Sequence, residues 1–389
     1  MSGASLDAMN TIEGSHDSAP LVSIIIDNYN YARFLPAAID SAIAQTYSRV
    51  EVIVVDDGST DNSREIIAGY GDRVVSVLKA NGGHASAFNA GFRASHGAIV
   101  MFLDADDLLL PQAVEEIVRA WRPGIAKAQF VLAHIDAEGR PFGGTVPYAP
   151  AQMPDGDLKQ AILSSGGYVG APTSGNAFAR SVLERLLPIP EPQWHQAADT
   201  SLEILAPFLG DVVSLKKTLG CYRVHDSNHG MLGGDLDVRK LRVKIVIDLQ
   251  RENALREFGL RSGFTIARGW ASLDPGHPKY RLASLRVDPI HHPIMDDTRA
   301  RLMFQGIVAC WKNPRYNLRS RLFQTAWFPL VAFLPTGSAL RLIRWDFNSR
   351  GQRATHRAET TNDPGKIPAH PDAPSSGQAE PSSCLQERI

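Results

Sequence analysis

The stretch AIVMFLDADD, residues 98–107, joins six apolar positions directly to Asp104, Asp106 and Asp107. A run this short and this apolar predicts a strand buried on both faces. The carboxylates would then stand at its carboxyl end. Working outward, the same pattern recurs upstream. LVSIII (21–26), VEVIVV (50–55) and residues 74–78 read as three further strands. Helical stretches at 34–45, 61–70 and 85–94 separate them, and one from Pro111 to Trp121 follows. Pro111 suits the first position of that helix. Strands alternating with helices of this length predict βαβ units, hence an α/β fold with a mostly parallel central sheet flanked by helices.

Ligands of such a sheet bind outside the carboxyl ends of the strands. Here those ends read Asp27-Asn28-Tyr29-Asn30, Asp56-Asp57-Gly58-Ser59, Asn81-Gly82-Gly83-His84 and Asp104-Ala105-Asp106-Asp107. Carboxylates gathered at one edge repel each other unless cations or donors compensate them. Hard divalent ions such as Mg²⁺ or Mn²⁺ take carboxylate oxygens and keep positions open for phosphate. Asp104 and Asp106 are therefore candidate metal ligands, the alternative being a cap on the next helix. Asp56 and Asp57 suit base and ribose recognition, the alternative being turn closure. Neither a Gly-x-Gly-x-x-Gly after the first strand nor a Walker loop is present. The site is therefore not a dinucleotide or P-loop site.

These motifs, in this order, resemble the N-terminal domain of family 2 glycosyltransferases, which have the GT-A fold. The likeness runs through LVSIIIDNYNYARFL, SAIAQTY, VEVIVVDDGSTDNS, NGGHASAFNAG and GAIVMFLDADD. It implies that Asp56 and Asp57 contact the nucleoside and that Asn81 and Gly82 form a loop near it. It implies that Asp104, Ala105 and Asp106 meet ribose, diphosphate and metal. Asp27 and Tyr29 join this donor-binding set. Asp27 stands where the family usually has Pro or Thr, and a capped, solvated turn is the favoured reading of it. Ala197-Ala198-Asp199-Thr200 is the counterpart of the family's Glu-Asp. The Glu is missing, and Asp199 is the candidate general base, with a helix N-cap as its alternative. Tyr222-Arg223-Val224-His225 resembles the Tyr-Arg-x-His signature. It offers His225 as a metal ligand and Arg223 as its support, where a lone His is otherwise structural. Thr173–Asn176, Trp194 and His195 are candidates to line the acceptor site.

The resemblance implies an inverting glycosyltransferase using a nucleotide-diphosphate sugar, a UDP sugar foremost, with Mn²⁺ or Mg²⁺. The acceptor would be a hydroxyl of a saccharide or a lipid-linked saccharide, as in polysaccharide or cell-envelope synthesis. Two other readings stand beside it. One is a catalytically silent nucleotide-sugar-binding module. The other is a sugar nucleotidyltransferase, which would carry a Gly-rich phosphate loop after the first strand.

The chain has 389 residues, 44% hydrophobic and 21% charged, with 40 Lys plus Arg against 41 Asp plus Glu. This balance speaks against a nucleic-acid binder. Cys221, Cys310 and Cys384 are too few and too scattered for a disulfide framework, so a reducing compartment is expected. No apolar h-region opens the sequence and no apolar run reaches the roughly 18–20 residues of a membrane helix. A cytoplasmic protein is expected, peripheral on the inner membrane face if its end touches lipid.

Organisation is read as a disordered lead-in (1–20), a nucleotide-sugar half (21–121), an acceptor half (122–230), a helical region (231–349) and a disordered tail (350–389). In the acceptor half, strands are expected at 129–134, 212–215 and 219–224, and helices at 158–164, 181–187 and 200–209. The helical region ends in Trp311, Trp327, Phe328, Phe333 and Trp345 among Lys312, Arg315, Arg319, Arg321, Arg341 and Arg344. Such a mixture suits either a membrane interface or a packing layer with a solvated basic face.

Overall fold

The computed structural model describes residues 19–225 and 237–359, with the side chains of 348–359 left aside. The lead-in up to residue 18, the tail from 360 and Cys384 lie outside the described residues.

The first half follows the sequence pattern element by element. It runs β1 (Val22–Asn28), α1 (Leu35–Ile43), β2 (Val50–Asp57), α2 (Ser63–Gly69), β3 (Val75–Lys79), α3 (His84–Ala94) and β4 (Ile99–Asp104). The four strands lie in the order β3-β2-β1-β4, all parallel. Side chains alternate across the sheet, as the two-residue strand period requires. Ile24, Ile26, Val54 and Leu103 pack under α1 on one face. Ile25, Ile53, Val55 and Phe102 pack under α3 on the other, where Phe88 stacks on Phe102 with ring centroids 3.9 Å apart. The β3 strand departs from the expectation of full burial. It is the sheet edge, and Val75 and Leu78 are exposed.

Beyond β4 the sheet becomes mixed. The chain continues through β5 (Leu108–Leu109), α4 (Ala113–Ala120), β6 (Ile125–Ile135), β7 (Pro141–Val146), α5 (Lys159–Ser165), β8 (Asn176–Ala179), α6 (Arg180–Leu186), α7 (Ala198–Leu205) and β9 (Asp211–Arg223). β8 inserts antiparallel between β4 and β6, and β9 runs parallel to β6. This mixed α/β sheet with flanking helices is the GT-A fold expected from the resemblance. Pro111 does not open α4, which begins two residues later at Ala113. The two strands expected at 212–215 and 219–224 are one, bent by register shifts against β6. β5, β7 and β8 are too short or too glycine-rich to show a period.

The helical region holds α8 (Val238–Ser262), α9 (Gly276–Val287), α10 (Arg299–Lys312), α11 (Leu318–Phe333) and α12 (Thr336–Glu359). α12 carries the helix ten residues past the expected boundary at 349. Arg353, Ala354, Arg357 and Ala358 are helix formers, and the first proline beyond them is Pro364. Trp327 and Phe328 form the centre of this layer with Leu302, Leu282 and Ile343. They are thus core residues, whereas Trp311, Phe333 and Trp345 stay exposed. Among the described residues no helix is long and apolar enough to cross a membrane.

Candidate active site

The parallel register decides where the carboxylates meet. Asp27 at the end of β1 stands directly opposite Asp104 at the end of β4. On the other side, Asn28 stands opposite Asp56 of β2. These pairings produce two adjoining compartments at one sheet edge.

The β1–β2 compartment is closed by its own hydrogen bonds. Asp56 is fully buried and accepts from Asn28 Nδ2 (3.0 Å), Ser59 N (3.1 Å) and Arg64 Nε (2.7 Å). Burial alone would raise its pKa, but hydrogen bonds from Ser59, Arg64 and Asn28 outweigh that and hold it below the ordinary carboxylate value. Asp57 pairs with Lys79 and accepts from Gly82 N (3.0 Å) and Gly83 N (2.7 Å). It thereby folds loop 81–83 against β2. Tyr29 is exposed at the rim. Asn30 adopts φ 59°, a left-handed conformation that Asn tolerates, and its side chain accepts from Thr60 N at 2.7 Å.

Gly83 sits at φ +85°, and a Cβ there would collide with the His195 ring. The two segments are joined by His84 N donating to His195 O at 2.8 Å. His195 is thus a packing and hydrogen-bond partner of the segment 82–84. Trp194 is buried in the core beneath α3 and α7, which removes it from the acceptor candidates. Ala105 likewise turns its methyl into the core.

The β1–β4 compartment is acidic. Ligand atoms of Asp104, Asp106 and Asp107 lie within 4.8 Å of one another, and so do those of Asp27, His84 and Asp104. Asp106 Oδ2 is 2.9 Å from His225 Nε2. The His225 ring lies 4.8 Å from Phe34 and 5.7 Å from Tyr31, so its direction is fixed by packing. Arg223 donates to Asp106 O (2.7 Å) and, through its backbone, to Asp107 Oδ1 (2.9 Å). Ser174 Oγ donates to Asp107 Oδ2 at 2.6 Å and accepts from Asp104 N at 3.2 Å. Arg223 and Ser174 therefore brace the turn that presents Asp104 and Asp106. Asp107 belongs to that brace.

Burial and charge crowding act together on these carboxyls. Burial pushes the Asp104 carboxyl well up, and the charges of Asp27, Asp107, Asp106 and Asp199 add to it. Burial raises Asp27 to about 6; His84 opposes this, while Asp106 and Asp199 add to it. Its Oδ1 is buried without a hydrogen-bond partner. Asp27 is therefore neither capped nor a solvated turn residue. The β1–β4 pairing holds it inside the cluster. Hard carboxylate oxygens converging at Asp104 and Asp106, with the orphaned Oδ1 of Asp27 nearby, fit a divalent cation held by Asp104 and Asp106, with His225 beside it.

Asp199 stands in the first turn of α7, one residue inside the helix, whose N-cap is Ala197. It is not the cap. Its charge reaches Asp27, Asp104 and the buried Lys127. His84 links the two sides: its Nδ1 accepts from Ala198 N at 3.3 Å, and its Nε2 lies 3.4 Å from Asp27 Oδ2.

Residues 23–186 match the family model for glycosyl transferase family 2. These residues are a family 2 glycosyltransferase domain. An uncharacterised glycosyltransferase of Nostoc sp. is 40% identical over 218 residues, which is 54% of this chain and 66% of the relative. A relative from Rickettsia prowazekii is 46% identical over 97 residues, 25% of this chain and 30% of its own length. The hyaluronan synthase of Pasteurella multocida is 46% identical over 108 residues, 27% of this chain and 11% of the synthase. The chain thus spans just under two thirds of the Nostoc relative and far less of the others. Among solved structures, Staphylococcus aureus TarS with UDP-GlcNAc gives a TM-score of 0.46 at 16% identity, over 85% of this chain and 92% of that one.

The family 2 match ends before Asp199, Arg223 and His225, so those three rest on the geometry above. Sequence reasoning missed His84 and Lys127. His84 stands inside the quoted NGGHASAFNAG motif, but only the fold aims it at Asp27. Lys127 lies outside the strand expected at 129–134, yet it is fully buried in β6 and donates to Tyr168 at 2.7 Å.

One prediction follows from Asp27. Its folded pKa is above the ordinary value, so the folded state holds this proton more tightly than the unfolded chain. Stability of the metal-free protein should then fall as pH rises from about 4 to about 6 and level off above. Asp27→Asn should flatten that fall and stabilise the protein at pH 7.5 by at most on the order of 3 kcal/mol. Urea denaturation in EDTA from pH 4 to 8 measures both.

Proposed function

We propose that this protein is an inverting, metal-assisted glycosyltransferase. It takes a nucleotide-diphosphate sugar, foremost a UDP sugar, and transfers the sugar to a hydroxyl of a saccharide or lipid-linked saccharide in the cytoplasm. The observation that carries the reading is the convergence of Asp104, Asp106 and Asp107 where the parallel strands end, with Asp199 in the first turn of α7 near enough for its charge to bear on Asp104 and Asp27.

The roles follow from chemistry. Inverting transfer is a single in-line displacement, so a base must take the acceptor proton as the hydroxyl attacks. Asp199 has the right type, a carboxylate, and stands in the first turn of α7. Asp104 and Asp106 would hold Mn²⁺ or Mg²⁺, with His225 alongside. Such an ion supplies charge to stabilise a leaving diphosphate. Asp57 and loop 81–83 form the wall on the nucleoside side. A carboxylate has about four acceptor positions. The three donors on Asp57 leave room for one base N–H. Asp56, already taken up by Asn28, Ser59 and Arg64, acts by holding the turn at Ser59 beside that wall.

Calorimetric titration with UDP, GDP and dTDP tests the donor side. One diphosphate should bind in Mn²⁺ and bind far more weakly in EDTA. Equal binding with and without metal would remove the cation from the reading.

A further inference from the structure

We propose that the outer face of α10, α11 and α12 is a docking surface for an anionic lipid bilayer. The proposal stands on the helical region alone and does not depend on the transferase reading.

The exposed face of α11 is apolar at helical spacing. Leu318, Leu322, Ala326 and Leu330 recur every four residues and all are exposed, with Phe333 65% exposed at the end. In a layer packed on both sides these positions would be covered. The opposite face, with Trp327, Phe328 and Val331, is the one in the core. Both borders of the strip carry a tryptophan. Trp311 of α10 is 45% exposed and donates from Nε1 to Thr325 of α11 at 2.9 Å. Trp345 of α12 is 50% exposed, its ring 6.1 Å from that of Phe323 of α11. Exposed tryptophans bordering an aliphatic strip suit the headgroup boundary, where one end of the indole is wet and the other dry.

Charge selects the occupant. Residues 299–347 hold eight Lys and Arg and a single acid, Asp346. Asp346 is buried and paired with Lys279, so it does not offset the surface cations. Arg301, Lys312, Arg319, Arg341 and Arg344 are exposed around the apolar strip. The chain as a whole has a formal charge of −1, so this cation excess is local. A second copy of the chain would place two such basic faces against each other, which is repulsive. A bilayer rich in anionic headgroups answers both the apolar strip and its basic rim. Among the described residues no helix is long and apolar enough to span, and the contact proposed is interfacial.

The test is co-sedimentation of the full-length protein with vesicles of phosphatidylcholine alone or with 30 mol% phosphatidylglycerol added. Binding to the anionic vesicles is expected, falling in high salt and weak on phosphatidylcholine. Removing a rim cation, as in Arg319→Gln or Arg344→Gln, should weaken it about fivefold per charge. Leu322→Ser with Phe333→Ser should weaken it further, with circular dichroism unchanged because both side chains are exposed. Failure of the folded protein to sediment with anionic vesicles would overturn the proposal. So would a dimer in solution that the Leu322→Ser/Phe333→Ser variant makes monomeric, since that face would then be covered by a second copy.

Discussion

Asp199→Asn is expected to lower transfer about 10²–10⁴-fold while leaving metal-dependent nucleotide binding intact. The amide keeps the size of the side chain and its place in the first turn of α7 but cannot accept the acceptor proton. Its charge also bears on Asp27 and Asp104, which makes a second readout available. Without that charge the acidic cluster is less crowded, so the variant should bind nucleotide no worse than wild type. A loss of kcat with a retained Kd for the nucleotide identifies a group that handles the proton. Equal loss of both would make Asp199 part of the binding wall, and unchanged kcat would remove it as the base.

Asp106→Asn should lower activity by a different route, through the metal. Its carboxylate is buried beside His225 and is one of three whose ligand atoms converge. Removing that charge should cost the metal-assisted reaction several kcal/mol, about a thousandfold. The folded state should not suffer comparably, because the Asp106 charge raises Asp27, Asp104 and Asp107. In EDTA the variant should therefore melt at or above the wild-type temperature. The rise in melting temperature that Mn²⁺ gives wild type should disappear. A variant that melts far below wild type in EDTA would instead make Asp106 a structural residue held by His225.

How much of this was legible without coordinates differs between the two halves of the sheet. Strands β1, β2 and β4 are apolar on both faces and bounded by helices of ordinary length. Local pattern alone therefore marked them to within a residue or two. Their carboxyl ends then placed Asp27, Asp56, Asp57 and Asp104 at one edge, because parallel strands align those ends. What pattern could not supply was register. Nothing in the sequence of Asp27 shows that it pairs with Asp104 and not with solvent, and its favoured reading as a turn residue failed there. Asp56 and Asp57 look equivalent in sequence. They differ once Arg64 and loop 81–83 are seen to reach them from different sides. Trp194 and His195 are adjacent, yet one is core and the other lies on Gly83, a distinction fixed by α7 packing on α3. The mixed half was harder because β5, β7 and β8 are short and gain their partners only from distant strands.

In the proposed reading the acidic cluster and Asp199 form one active site for a nucleotide sugar. The most direct measurement is release of nucleoside diphosphate from a panel of UDP-, GDP- and dTDP-sugars, with Mn²⁺, Mg²⁺ or EDTA and saccharide acceptors. Metal-dependent release from one donor, lost in both Asp106→Asn and Asp199→Asn, is the predicted result. Metal-dependent nucleotide binding with no release from any donor in any acceptor mixture would contradict it and leave a binding module in its place.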